Sequence, residues 1–135
     1  MKKLNHYFRD FVRSESGSQT IEAVIWVPIF VFFLAFMVNV AMVFFNESQM
    51  LRVVQDANRA FSLGWFTTDI ETEQHITQEL AYLSPNVTVD TVVDGGIIKT
   101  QLSIPAFDMM PLKGLGKQFF STTQITVQAE HVVEF

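Results

Sequence analysis

The chain has no cysteine, and only 17% of its residues are charged. Without cysteine there is no disulfide, no thiolate metal site and no cysteine nucleophile, so an oxidising compartment is permitted but not demanded. Nine Lys+Arg against 14 Asp+Glu leave a net charge of −5, which gives no basic surface for nucleic acid. Catalytic patterns are missing as well. There is no nucleotide-binding loop, no Gly-x-Ser-x-Gly and no zinc motif. His6, His75 and His131 are scattered over the leader, a polar helix face and a strand, without ligand spacing. No enzyme activity and no cofactor or metal are expected. What is abundant is apolar: 49% of the 135 residues are hydrophobic and 14 are Phe. That is too apolar for disorder and thin in charge for an ordinary soluble domain.

The apolar residues are concentrated. Residues 23–45 read AVIWVPIFVFFLAFMVNVAMVFF, with no charge and one polar side chain, Asn39. As a helix this run spans ~35 Å, enough to cross a hydrocarbon core of ~30 Å. A buried core helix is the alternative, but the remainder is too short to surround a helix that is apolar on every face. Lys2, Lys3, Arg9 and Arg13 precede the run, offset by Asp10 and Glu15, whereas five Lys/Arg and eleven Asp/Glu follow it. Basic residues near the span ends mark the cytoplasmic side. The expected topology is a single pass through the bilayer of the inner membrane, N-terminus cytoplasmic and C-terminal domain periplasmic. A secretory signal would be shorter and would end at a small-x-small site; Asn46-Glu47-Ser48-Gln49-Met50 offers none, so the run is expected to stay.

The junction before the span carries the most information. Arg13-Ser14-Glu15-Ser16-Gly17-Ser18-Gln19-Thr20-Ile21-Glu22-Ala23 places Gly17 between a basic leader and the hydrophobic helix, with a carboxylate five positions later. An ionisable residue at a membrane edge is a functional candidate by default, although a snorkelling interfacial acid is the plainer account of Glu22. Gly17-Ser18-Gln19-Thr20-Ile21-Glu22 resembles the class III signal of type IV pilin-like proteins. The wider string from Phe11 through Pro28 is similar to the TadE-like proteins, minor pseudopilins of the tight-adherence (Tad/Flp) pilus system. Gln55-Asp56-Ala57-Asn58-Arg59-Ala60-Phe61-Ser62 is similar to the Ala-x-Arg segment that follows the membrane helix in that family. The resemblance covers about the first 65 residues and implies cleavage by a prepilin peptidase between Gly17 and Ser18. It also implies that the Glu22 carboxylate pairs with the new Ser18 α-amine of a neighbouring subunit during filament assembly.

Two residues inside the span stay open. Pro28 cannot donate to the Val24 carbonyl, so it kinks the helix or opens a turn, harmlessly or to allow flexing on extraction. Asn39 hydrogen-bonds either a partner helix or its own backbone.

Past Phe45 the pattern turns amphipathic. Met50, Leu51, Val53, Val54, Ala57, Ala60 and Phe61 form one face, opposite Arg52, Gln55, Asp56 and Arg59, and Gly64 is a stop. One long helix over residues 18–63 follows. A second opens at the capping box Thr68-Asp69-Ile70-Glu71 and ends before Pro85, with Ile76, Leu80 and Leu83 inward. Asp69, Glu71 and Glu73 read as its solvated first turn. Residues 87–93 and 97–104 flank Asp94-Gly95-Gly96 as a β-hairpin, and residues 121–135 add a third strand. Residues 105–117 form a loop with room for a short helical turn. The Met109-Met110 and Phe119-Phe120 pairs are expected under the sheet rather than on a partner-binding patch. Asn46-Glu47-Ser48 and Asn86-Val87-Thr88 fit the glycosylation sequon, a triplet common by chance.

The expected fold is thus α+β and pilin-like: a leader (1–17, removed), a transmembrane and amphipathic helix (18–63), and an extracytoplasmic domain (64–135). In that domain a small helix and a three-stranded antiparallel meander pack the long helix. The resemblance implies a structural subunit of an adhesion pilus or secretion filament. Its expected partners are a prepilin peptidase, other pilins and pseudopilins, an inner-membrane assembly platform and the lipid bilayer. The alternative is a single-pass anchored binding module with an intact N-terminus.

Overall fold

The computed structural model describes residues 16–115 and 120–134. Residues 1–15 of the leader, His6 among them, and Gly116, Lys117 and Phe119 lie outside them. Helix α1 (Ser16–Ser62) is followed by α2 (Asp69–Glu79), β1 (Thr88–Asp94), β2 (Ile97–Pro105), 3-10 turns at Ala106–Met109 and Lys113–Leu115, and β3 (Gln124–Val132). The three strands form one antiparallel sheet in the order β1-β2-β3. The fold is α+β, as the patterning predicts. The chain divides into two compact units between Phe36 and Met37, so the second half of α1 belongs to the same unit as the sheet.

Local sequence sets most of the boundaries. α1 ends in a Schellman motif: Trp65 N–H bonds the Ala60 carbonyl at 3.0 Å and Gly64 N–H bonds that of Phe61 at 2.9 Å. This needs a left-handed residue after the helix, and Gly64 has φ +76°. Thr68 caps α2 by accepting from Glu71 N–H at 3.2 Å. Glu71 returns the favour one residue early, accepting from Thr67 N–H at 2.8 Å and Thr67 Oγ1 at 3.0 Å. In the hairpin Gly95 and Gly96 both have positive φ, the signature of a type I′ turn, and Asp94 pairs with Ile97.

α2 ends before Pro85, as expected: it stops at Glu79, where Leu80 is fully buried and Leu83 N–H closes a tight turn on the Leu80 carbonyl. Two expectations shift. β3 is shorter than residues 121–135. Glu73 is not a solvated first-turn acid: it is half-buried, and its Oε1 accepts from Thr91 N–H at 2.8 Å, satisfying an amide on edge strand β1.

The core lies between one stripe of α1 and one face of the sheet. Met50, Val54 and Ala57 from α1 meet Ile76 and Leu80 from α2, Leu102 and Ile104 from β2, Met109, and Val127 and Ala129 from β3. Arg52, Gln55, Asp56 and Arg59 face out, as their spacing predicts. Burying each of the larger side chains contributes about 1.5–3 kcal/mol. Met109 and Met110 are buried as expected.

A polar chain crosses this core. Asn58 is 1% exposed; its Nδ2 donates to the Ala129 carbonyl at 3.1 Å and its Oδ1 accepts from Thr100 Oγ1 at 2.6 Å. Thr100 in turn shares a hydrogen bond with Thr91 Oγ1 at 3.1 Å. Alanines at 57 and 129 bring helix and strand close enough for so short a side chain to reach. Such a chain pins the register of sheet on helix, because a slip leaves several buried groups unpaired at once.

Two outcomes test this account. Asn58→Ala strands the Ala129 carbonyl and the Thr100 hydroxyl, so the full chain in detergent should lose about 2–3 kcal/mol in a urea titration. A loss below about 0.5 kcal/mol contradicts the register role. Glu71 should titrate below the ordinary glutamate value of ~4.3, because its ionised form accepts the Thr67 amide and hydroxyl. Its lowered folded-state value means the cap is complete at neutral pH and is lost as pH falls through that value. A carboxyl NMR titration with a midpoint at or above ~4.3 contradicts this.

Candidate functional site

The residues singled out by the sequence all fall on α1. Gly17 and Ser18 lie in the first turn of the helix as described, Ser16–Ser62. Glu22 follows Ser18 by one turn, on the same side of the helix, and is exposed. Pro28 is internal, and the α-helical assignment runs through it without a break. Its missing N–H leaves the Val24 carbonyl without that bond, which a transmembrane helix tolerates.

Around these positions α1 is apolar on all sides. Ile21, Val24, Ile25, Trp26, Phe30 and Phe33 are each more than half exposed. Among the described residues this is one helix long and apolar enough to cross a membrane, and only 6% of its most apolar window is buried. A core helix of a soluble protein would be mostly covered. Leaving so many large side chains in water is costly at ~25 cal/mol per Å², so the surface calls for lipid or other helices.

Asn39 is 4% exposed, and within the single chain its amide engages backbone far away in sequence rather than that of its own helix. Its Nδ2 donates to the Leu112 carbonyl at 3.3 Å, and its Oδ1 accepts from Leu112 N–H at 3.1 Å. Asn46, seven residues on and on the same face, is also buried and donates to the Met109 carbonyl at 3.2 Å. The two asparagines supply partners to an irregular stretch of backbone that no strand ladder reaches. Asn46 is thereby ruled out as an accessible sequon, whereas Asn86 is exposed and donates to Asp108 Oδ2 at 3.3 Å.

Among the described residues no group of three or more His, Asp and Glu is placed to hold a metal ion. His75 lies against the Phe66 ring, with centroids 5.1 Å apart, and His131 is half-buried in β3 opposite Ile98. The arrangement offers an apolar helix surface with an acid, Glu22, near its start.

Residues 17–59 match the family model described as TadE-like protein. Over that stretch the helix is similar to TadE-like proteins. The TadE-like stretch begins at Gly17 and ends at Arg59, within the Ala57-Asn58-Arg59-Ala60 segment. It takes in Gly17, Ser18, Glu22, Pro28 and Asn39 together with most of the stripe that builds the core; α2 and the sheet lie outside it. No curated protein and no solved structure significantly matches the chain. Sequence reasoning missed Asn46 and Asn58 as structural polar groups; the only signal was an Asn on the apolar side of an amphipathic pattern.

Proposed function

We propose that this chain is a minor pseudopilin of a Tad/Flp-type pilus, a structural subunit that docks through its apolar helix. The observation that carries the reading is the TadE-like match on a helix whose large apolar side chains stand uncovered. In the proposed pathway a prepilin peptidase removes residues 1–17 at the cytoplasmic face, and Ser18 becomes the first residue. The peptidase, the assembly ATPase and the inner-membrane platform are separate proteins, and this chain performs no catalysis. The outer domain, residues 64–135, faces the periplasm until the subunit enters a filament or its priming complex.

Glu22 supplies the proposed register. Cleavage exposes a Ser18 α-amine with a reference pKa of ~7.7–8.0, largely protonated at neutral pH. Among packed apolar helices an unpaired carboxylate is strongly disfavoured, and the amine of a neighbouring subunit neutralises it. A subunit displaced by one turn would leave both charges unpaired, so the pair selects one axial position. Glu22 is exposed in the single chain, which leaves it free for this contact.

Replacement at Glu22 is the test. Glu22→Gln and Glu22→Ala should be processed normally yet fall at least about tenfold in recovery from sheared filaments or from the co-purified assembly complex, by quantitative immunoblot. Incorporation at wild-type levels would sink the register role. A chain absent from any pilus-like assembly would favour an anchored binding module instead.

A further inference from the structure

The second half of α1 contains a mismatch of levels. On one side of the helix the apolar surface continues to its last residue: Met42, Phe44 and Phe45 are 37%, 64% and 57% exposed. On the other side the same rise of helix is covered by the chain that leaves β2. Asn46, the first residue past the apolar run, bonds Met109, and Asn39 bonds Leu112. Seven residues of helix rise ~10 Å. Between Met109 and Leu112 the chain therefore descends ~10 Å along α1, from the end of the apolar run to a level well inside it.

The composition of that descent is graded. The residues that go down are Met110, Pro111 and Leu112, all apolar, and Leu112 is 43% exposed. Charge is kept at the top. Asp108 precedes the descent and is tied to Ser84 Oγ and Asn86 Nδ2. Lys113 follows Leu112, and its ammonium turns back over the Phe107 ring, 5.6 Å from the centroid. A lysine that folds its stem along apolar surface while lifting its charge is the pattern of snorkelling at a bilayer edge.

We propose that residues 111–113 form a lipid-contacting tip, immersed beside α1 in the leaflet that the helix reaches through residues 39–45. This rests on α1 being a membrane span. If hydrocarbon extends to Phe45 on the uncovered side, the same plane lies above Leu112 on the covered side. An irregular backbone at that depth has no water to bond and must be satisfied by protein. Asn39 meets that requirement by taking both the N–H and the C=O of Leu112. That accounts for a lone polar side chain in a 23-residue apolar run. Lys113 then sits where anionic headgroups are, with a charge of the fitting sign.

The absence of native cysteine makes the test direct. Spin labels are placed one at a time in the full chain at Leu112→Cys, Pro111→Cys, Phe33→Cys and Tyr82→Cys. The proteins are reconstituted in vesicles of phosphatidylethanolamine and phosphatidylglycerol. Relative accessibility to oxygen and to a water-soluble nickel chelate is then read at each site. Phe33 should report lipid and Tyr82 water. The proposal expects Leu112 and Pro111 to exceed Tyr82 several-fold in the oxygen-to-nickel ratio. Lipid at Phe33 with water at both 111 and 112 overturns the immersed tip and leaves the membrane span standing. Water at Phe33 overturns the span and the tip with it. Dipolar broadening between Leu112 labels that is relieved by unlabelled protein identifies a second copy as the occupant and overturns the lipid assignment.

Discussion

The stripe of α1 running through Asn39, Val43, Asn46, Met50, Val54, Ala57 and Phe61 is the constraint on which the rest of the chain is built. Positions spaced three or four apart fall on one side of a helix. Every later element has to find a place along that line. β2 brings Leu102 and Ile104 to it, β3 brings Val127 and Ala129, and α2 closes the layer with Ile76 and Leu80. A three-stranded sheet with one small helix has too little apolar surface to stand without such a partner. The C-terminal unit therefore incorporates the second half of the helix rather than hanging from it, and its boundary falls at Met37 instead of at the end of α1.

The same helix answers to two environments, and its polar residues divide between them. Toward the C-terminal end Asn58, Asn46 and Asn39 each engage backbone of the C-terminal unit, so they are paired internally and specify register. Toward the N-terminal end Glu22 remains exposed, immediately before the apolar run. Polar groups that are satisfied stabilise one subunit; a polar group left unsatisfied in an apolar setting favours whatever neutralises it. That contrast marks Asn39 as a structural residue and is the physical ground on which Glu22 is proposed for assembly.

Much of the fold was legible because its signals are local. Gly64 needs only its own backbone to end α1, Gly95 and Gly96 need only theirs to turn the hairpin, and Thr68 reaches Glu71 within one turn. The apolar faces of α1 and α2 were readable from period alone. What was not legible depends on partners distant in sequence. Asn39, Asn46 and Asn58 bond groups 73, 63 and 71 residues away, and Glu73 bonds one 18 residues away. The residue type announces a polar side chain, but only the docked sheet shows where it goes. Glu73 illustrates the error that results: its position at a helix start suggested solvent, and the neighbouring edge strand claimed it. At the candidate site the reverse holds. Gly17, Ser18 and Glu22 were singled out by an ordered string of residue types, and the fold of a single chain adds little to them because the events proposed for them involve other proteins.

The central claim is that a peptidase matures this chain at the Gly17–Ser18 bond and leaves the apolar helix attached. Intact-mass measurement with N-terminal sequencing of the protein from its native membranes tests it most directly. The account predicts a mature chain that begins at Ser18 and retains residues 18–135. A chain that still begins at Met1 in membranes containing an active cognate peptidase would contradict it.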